Sequence, residues 1–238
     1  MRGLLRRLLG RWIGPSSEEI EELRTQFSWM FPPSTVVDPA AWDRYWEGQL
    51  SHGTGGLVHL FVDDGELVDA LRANNLRRVL CLGNGISQEP RALAWAGFEV
   101  TALDISPLAA EAARAAVPPD DFLAGLVGGR SAAPHGQLEF VVGDLVDPTC
   151  CPGPYDCVIE RKTLQLWPEG DRPRAMQAAV DRLAPRGIFF SQCHDGGWRP
   201  PAPRRHLLQP LFEAQGWESW QPEMPLKGRA VWLFLTTG

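Results

Sequence analysis

From residue 79 onward, short apolar runs alternate with segments of helical periodicity. The runs predicted as strands are 79–82, 99–103, 138–142, 156–159, 188–191, 217–221 and 230–236. The segments predicted as helices are 87–96, 106–116, 173–183 and 204–215. Strands that alternate with helices form a parallel sheet with helices on both faces, so the pattern predicts an α/β fold. Residues 117–136 are rich in Gly, Pro and Ala and are predicted to be a loop insertion.

The segment before this pattern is predicted to be helical. Residues 3–13 place leucines on one face and arginines on the other, and 17–27 follow as a second helix. For the basic helix we favour packing on its own domain or a partner over contact with a membrane surface. Asp38-Pro39 opens a third helix, with Asp as the cap and Pro in the first turn. A fourth is predicted over 64–75.

Composition limits the classes of function. The net charge of −6 and the sequence pI near 5.4 disfavour binding to a phosphate backbone, so no nucleic-acid partner is predicted. The five cysteines are odd in number and follow no CxxC spacing, so neither a disulfide framework nor a metal site is predicted. No apolar stretch approaches the roughly 18 residues of a membrane span. We therefore predict a soluble, cytoplasmic protein. Its oligomeric state stays open.

The strongest single signal is the run Val79-Leu80-Cys81-Leu82-Gly83-Asn84-Gly85, a buried strand that enters a glycine turn before a helix. Glycine lets the backbone turn sharply and approach a ligand with no Cβ in the way. The helix start adds N–H donors that suit an anionic group. Asp104 follows Gly83 by 21 residues, at the end of the second strand, where a carboxylate can accept both hydroxyls of a ribose.

The same region favours one kind of nucleoside ligand over others. A dinucleotide fingerprint needs a small residue where Gln88 stands, and the phosphate-loop pattern ending in Gly-Lys-Ser/Thr is absent. Asp144 ends the third strand, where its carboxylate can meet the exocyclic amine of an adenine; a simple turn aspartate is the alternative. The pattern predicts one adenosine-containing ligand at three strand ends.

The order of these signals resembles the class I S-adenosylmethionine-dependent methyltransferases. It runs from strand-Gly-x-Gly to an acid after strand two, then Gly143-Asp144, then the strand 155–160. Residues 183–187 resemble that family's Leu-x-Pro-Gly-Gly step before a strand, and the two last strands resemble its antiparallel terminal hairpin. The resemblance covers 38–238, with 1–37 as an N-terminal helical extension.

This resemblance implies both a topology and a set of cofactor contacts. The expected fold is a doubly wound, mostly parallel seven-stranded sheet with helices on both faces, an antiparallel C-terminal hairpin and extra N-terminal helices. The implied cofactor is S-adenosyl-L-methionine. Its implied contacts are Trp42, Trp46, Leu82, Gly83, Asn84, Gly85, Asp104, Ile105, Asp144, Leu145 and Glu160. In the family, an acid often replaces Cys81 and a third glycine often replaces Ser87.

The N-terminal aromatic residues have two interpretations. The helix that carries Trp42, Tyr45 and Trp46 takes the place of the lid segment of small-molecule methyltransferases. Aromatic ring faces attract a sulfonium cation there. Packing of the helix on the sheet is the alternative, and it is favoured more for Trp46 than for Trp42.

Candidate catalytic groups lie at the carboxyl ends of the fourth and fifth strands, where ligands of open α/β sheets bind. They are Glu160, next to Arg161, and His194 in the run Cys193-His194-Asp195. Residues 160–164 also resemble an Asp-Arg/Lys-Gly-Thr/Ala-Leu stretch of thiopurine-type and some protein-lysine methyltransferases, with Lys162 in place of glycine. A general base helps only if the acceptor atom carries a proton.

The expected activity is methyl transfer to an O, N or S atom of a small-molecule acceptor. Three alternatives stay open. These are a protein (lysine-type) methyltransferase, a non-catalytic partner subunit with the same fold, and a nicotinamide-dependent reductase.

Overall fold

The computed structural model of the chain describes residues 32–33, 36–52, 65–130, 134–194, 217–220 and 230–237. For 66, 192–194, 217–220 and 230–237 it describes the backbone only. The predicted helices over 3–13, 17–27 and 204–215 lie outside the described residues. The domain division after residue 37 therefore stays a prediction.

The fold is built on five parallel strands. Their order across the sheet is β3-β2-β1-β4-β5. Their bounds are Arg78–Leu82 (β1), Glu99–Asp104 (β2), Gln137–Val142 (β3), Tyr155–Arg161 (β4) and Leu183–His194 (β5). After β3 the chain returns to the opposite side of β1, which creates a crevice between the carboxyl ends of β1 and β4. Ligands of open α/β sheets bind at such a switch point.

Two further strands continue the sheet beyond β5. Strand β7 (Ala230–Thr237) pairs antiparallel with β5, and β6 (Trp217–Trp220) pairs antiparallel with β7. The prediction of an α/β fold with a parallel sheet is confirmed, with five of its strands parallel. Residues 221–229, which would form the turn of the C-terminal hairpin, lie outside the described residues, so the hairpin stays a prediction.

Helices cover both faces of the sheet. In chain order they are Pro39–Ser51 (α1), Glu66–Ala73 (α2), Glu89–Trp95 (α3), Pro107–Ala115 (α4), Asp120–Leu126 (α5) and Arg172–Val180 (α6). Because side chains alternate along a strand, Leu80 and Leu82 pack with α1, α4 and α6 in one apolar core. Val79 and Cys81 pack with α2, α3 and α5 in a second core. None of the described helices is both long enough and apolar enough to cross a bilayer.

Two helices near the switch point begin with side-chain caps. Asp38 Oδ1 accepts a hydrogen bond from Ala40 N at 3.0 Å, with Pro39 in the first turn of α1, as predicted. Ser106 Oγ accepts one from Ala109 N at 3.0 Å and starts α4 before Pro107. The caps fix where each helix begins, and therefore which side chains face the crevice.

The expectation of a loop over 117–136 is wrong in part. Residues Asp120–Leu126 form α5, which buries Leu123 and Leu126 in the second core. These residues are three apart, so they lie on one helical face. The surrounding Gly and Pro content hid this short apolar pattern. The helix 173–183 also ends earlier than predicted, at Val180, and β5 begins at Leu183.

A matched pair of substitutions tests whether α5 belongs to the folded domain. Leu123 is 5% exposed and its neighbour Phe122 is 37% exposed. We expect Leu123→Ala to lower the free energy of unfolding by about 2–4 kcal/mol, because it leaves a cavity in the core. Phe122→Ala serves as the control and should cost much less. Urea denaturation measures both, and equal effects would contradict a packed α5.

Candidate functional site

One cavity lies at the carboxyl ends of β1, β2, β3 and β4, with α1 above it. It has a volume of about 1170 Å³ counted with its open mouth. Ten of the eleven residues predicted to contact a cofactor line it: Trp42, Trp46, Leu82, Gly83, Asn84, Gly85, Asp104, Ile105, Asp144 and Leu145. The structure thus brings the predicted strand-end residues together in one place.

The floor of the cavity is the glycine turn after β1. Gly83 and Gly85 have φ of +59° and +55°, in the left-handed region that disfavours residues with a Cβ. A Cβ on Gly83 would overlap Thr163, and one on Gly85 would lie 2.5 Å from Cζ2 of Trp46. Asn84 N donates to Leu103 O at 3.1 Å, which ties the turn to β2. The turn is therefore a close-packed cradle of bare backbone.

Asp104 ends β2 beside this turn and is 8% exposed. Its Oδ2 accepts a hydrogen bond from Gly85 N at 2.6 Å, and its Oδ1 accepts one from Ser106 N at 2.9 Å. Burial raises the pKa of Asp104 to about 6, although the hydrogen bonds from Ser106 and Gly85 oppose that rise. An ionised carboxylate has about four acceptor positions. The hydrogen bonds from these backbone amides therefore leave capacity for ligand hydroxyls.

Asp144 and Leu145 form the wall at the end of β3. Asp144 Oδ1 accepts a hydrogen bond from Val146 N at 3.0 Å, which orders the loop. Gly143 N donates to Asp104 O at 2.9 Å and joins this wall to β2. Leu145 is buried in the first core. An acid beside an apolar side chain offers a flat heterocycle both a hydrogen-bond acceptor and a stacking surface.

Aromatic side chains of α1 form the roof. Trp42, Tyr45 and Trp46 are all buried, and all three line the cavity. The Tyr45 ring lies edge-to-face with both tryptophans, at centroid distances of 5.6 Å to Trp42 and 5.0 Å to Trp46. Trp42 Nε1 donates to Val36 O at 3.1 Å. The two interpretations of these residues therefore describe one arrangement, since the rings that pack the helix on the sheet also face the cavity.

Glu160 lies outside the cavity-lining set of described residues, contrary to its prediction as a cofactor contact. Its side chain is buried, and Oε2 accepts hydrogen bonds from Thr163 N at 3.1 Å and Leu164 N at 3.2 Å. Oε1 accepts one from Ser191 Oγ. The carboxylate thus shapes the loop after β4, and this geometry gives no support to a role as general base.

His194 is the last residue of β5, opposite Ala230 of β7. Its side chain lies outside what the structure describes. A catalytic role for His194 therefore stays a prediction.

The loop after β4 brings further residues to the cavity. Lys162 has a φ of +62°, and Thr163 Oγ1 donates to Leu82 O at 3.0 Å across the crevice. Trp167 also lines the cavity, and its carbonyl accepts a hydrogen bond from Arg172 at 3.0 Å. Lys162 occupies the position at which the resembled stretch has glycine, and its left-handed backbone shows the physical reason for glycine there.

Sequence reasoning missed a partly buried ion pair in the lining of the cavity. Arg161 Nε donates to both carboxylate oxygens of Glu89, at 2.8 and 2.7 Å, and both residues line the cavity. The Arg161 guanidinium also lies 4.5 Å from the ring centroid of Phe190. Burial raises the pKa of the nearby Cys81 thiol well above its usual value, so Cys81 is a protonated, uncharged wall residue. Glu89 opens α3, and an acid in a first helical turn is too common to reveal this contact.

Comparison with known proteins decides the family. Residues 80–191 match the family model described as "Methyltransferase domain". These residues are a methyltransferase domain. For these residues the predicted methyltransferase family is confirmed. The matched residues contain most of β1, all of β2, β3 and β4, the glycine turn, Asp104 and Asp144. Among curated proteins, none matches the chain significantly in sequence.

Solved structures share the fold of the methyltransferase domain. The magnesium protoporphyrin IX methyltransferase of Synechocystis PCC 6803, solved with bound S-adenosylmethionine, has a TM-score of 0.55 at 15% identity; the match covers 96% of this chain and 100% of that one. A TehB-like S-adenosylmethionine-dependent methyltransferase of Corynebacterium glutamicum has a TM-score of 0.55 at 18% identity, over 84% and 99%. An amino pentose methyltransferase of Micromonospora echinaspora has 0.51 at 17%, over 74% and 90%. At these identities the likeness concerns the fold.

The same substitution at two glycines tests the cradle. We expect Gly85→Ala to lower the free energy of unfolding by about 1–3 kcal/mol, because the new Cβ meets Trp46 and is strained at positive φ. Gly125, in α5, has open space around its Cα. Gly125→Ala should therefore raise stability by up to about 1 kcal/mol. Thermal and urea unfolding measure both. A Gly85→Ala protein as stable as the wild type would exclude the close contact with Trp46.

Proposed function

We propose that this protein transfers a methyl group from S-adenosyl-L-methionine to an O, N or S atom of a small-molecule acceptor. The observation that carries the proposal is the meeting of the bare Gly83–Gly85 backbone, buried Asp104 and Asp144 in one cavity beneath aromatic rings. A cradle that a single Cβ would fill suits a ligand that lies directly on the backbone. The donors and acceptors present fit the parts of an adenosine.

Each part of the cofactor has a set of residues that would hold it. Asp104 would accept the ribose hydroxyls, and Asp144 with Leu145 would hold the adenine. The Glu89–Arg161 pair offers opposite charges at the helix start, which suits the ammonium and carboxylate of the methionine end. The rings of Trp42 and Trp46 would face the sulfonium.

When bound, the cofactor supplies an activated methyl group on a positively charged sulfur. The chain's own contribution is to position the acceptor and to exclude water. The roof of α1 and the indole of Trp167 serve both tasks, since both line the same cavity. No described side chain is required as a base if the acceptor atom is already deprotonated.

The walls favour a compact acceptor. Val36, Tyr45, Leu166 and Trp167 also line the cavity, so much of the surface offered to an acceptor is apolar. The net charge of −6 disfavours a nucleic-acid acceptor. The names of the porphyrin and amino pentose enzymes with this fold also specify small acceptors. A cytoplasmic location stays a prediction.

A thermal-shift comparison tests the cofactor. S-adenosylmethionine and S-adenosylhomocysteine should each raise the melting temperature, whereas NADH and NADPH should not. The shift should disappear in Asp104→Ala, because the ribose loses its acceptor. A shift with NADH alone would favour the reductase alternative instead.

The pH dependence of binding tests the role of the Asp104 carboxylate. Binding of ribose hydroxyls favours its ionised form, and its pKa is about 6. The dissociation constant for S-adenosylhomocysteine should be constant above about pH 7 and rise about tenfold for each pH unit below about 6. Isothermal titration calorimetry measures this, with Asp104→Asn as the control that binds weakly at every pH. A wild-type profile as flat as that of Asp104→Asn would contradict the assignment.

Labelled methyl transfer distinguishes the acceptor classes. The protein is incubated with S-adenosylmethionine labelled in the methyl group and a native lysate, with Asp104→Ala as the control. We expect label in small molecules that pass an ultrafiltration membrane, that separate from the labelled cofactor by chromatography, and that are absent with Asp104→Ala. Label retained on protein would favour the lysine-type alternative. Cofactor binding without any transfer would favour a non-catalytic partner subunit.

A further inference from the structure

Asp43 lies on α1 between the roof residues, yet it is not among the described residues that line the cavity. Its Oδ1 accepts two hydrogen bonds, from Ser106 Oγ at 2.5 Å and from Leu108 N at 3.1 Å. Ser106 is the N-cap residue of α4, and Leu108 belongs to its first turn. The side chain of Asp43 is partly buried in this contact. One carboxylate thus joins the roof helix to α4, its neighbour in the first apolar core.

The contact suits a carboxylate for two reasons. The first N–H groups of a helix have no partner within the helix, and Leu108 N is one of them in α4. The start of a helix also carries partial positive charge, which attracts an anion. Ser106 already caps α4 by accepting from Ala109 N at 3.0 Å, and its hydroxyl hydrogen goes to Asp43. Asp43 completes the cap from another element.

This contact belongs to a chain of hydrogen bonds and packing contacts that begins and ends on α1 and passes through the predicted cofactor site. From Asp43 the hydrogen bonds run to Ser106, and from Ser106 N to Asp104 Oδ1 at 2.9 Å. Asp104 Oδ2 accepts a hydrogen bond from Gly85 N at 2.6 Å, and Gly85 is so close to Trp46 that a Cβ on it would overlap the indole. Trp46 belongs to α1, so the chain of contacts ends on the helix where it began. The roof helix is therefore hydrogen-bonded through Asp43 and packed through Trp46. Asp104, the predicted acceptor for the ribose hydroxyls, lies between these two contacts.

We propose that Asp43 is a positioning residue that holds α1 over the cavity and so determines how tightly the cofactor is retained. The proposal rests on the proposed function, because it assigns the cavity to S-adenosylmethionine. Without Asp43, α1 would spend less time docked, and the apparent affinity would fall in proportion to the docked fraction. Asp43 would act through Ser106 and Trp46, with no contact of its own to the cofactor.

The affinity test compares two variants on the same helix. Asp43→Ala removes the contact, and Glu47→Ala removes one negative charge from an exposed position of α1. We expect Asp43→Ala to weaken S-adenosylhomocysteine binding about tenfold by calorimetry, whereas Glu47→Ala should bind like the wild type. Asp43→Asn keeps an oxygen acceptor and should recover most of the affinity. If Asp43→Ala lowers only the melting temperature and binds as tightly as the wild type, Asp43 is a structural contact and the proposal fails.

Hydrogen–deuterium exchange without ligand gives a second readout, independent of the cofactor. Amides of α1 should exchange faster in Asp43→Ala than in the wild type or Glu47→Ala, while those of α6 should not change. Unchanged α1 exchange would overturn the proposal. If Asp43→Ala does not fold, Asp43→Asn carries the same comparisons with smaller expected effects. A wild type that binds no S-adenosylhomocysteine would refute the proposed function, whereas equal binding by wild type and Asp43→Ala would refute only this inference.

Discussion

The carboxylate of Asp104 joins the two strand ends on which the cavity depends. It accepts the amide of Gly85 from the turn after β1 and the amide of Ser106 at the start of α4. Burying a charge is costly, and these two donors make it tolerable. A Cβ on Gly85 would overlap the indole of Trp46, so the turn can pack against the roof only with glycine at this position. Turn, acid, cap and roof are therefore mutually dependent, and a change in one displaces the others.

The parts of the site that follow a local rule could be predicted from the sequence. A strand that enters Gly83-Asn84-Gly85 needs positive φ in its turn, and an acid after the next parallel strand must lie beside it. Asp38 and Pro39 mark the start of α1 by cap chemistry that requires no tertiary information. The placement of Asp104 and Asp144 at one cavity follows from such rules, whereas that of Trp42 and Trp46 was implied by the resemblance to the family.

The contacts that were missed join residues far apart in the chain. Glu89 and Arg161 are 72 positions apart, and Asp43 and Ser106 are 63 apart. The local sequence around Glu89 or Asp43 does not indicate which distant residue each one contacts, because acids in first helical turns and aspartates on helices are common. Glu160 is a different case, because it was predicted as a cofactor contact from its position near a strand end. Its carboxylate instead accepts hydrogen bonds from Thr163, Leu164 and Ser191. Side-chain direction within a loop is set by packing, which sequence spacing does not encode.

The charges around the cavity suit the cation that the proposed reaction consumes. The charged residues among the described lining are Glu89, Asp104 and Asp144 against Arg161 and Lys162, a net negative wall once Asp104 is ionised. S-adenosylmethionine carries a net positive charge through its sulfonium, and the product S-adenosylhomocysteine has lost that charge. Coulomb attraction to the wall is therefore greater before transfer than after it. The same carboxylates that retain the cofactor would thus favour exchange of product for fresh cofactor, while Glu89, neutralised by Arg161, adds little to this difference.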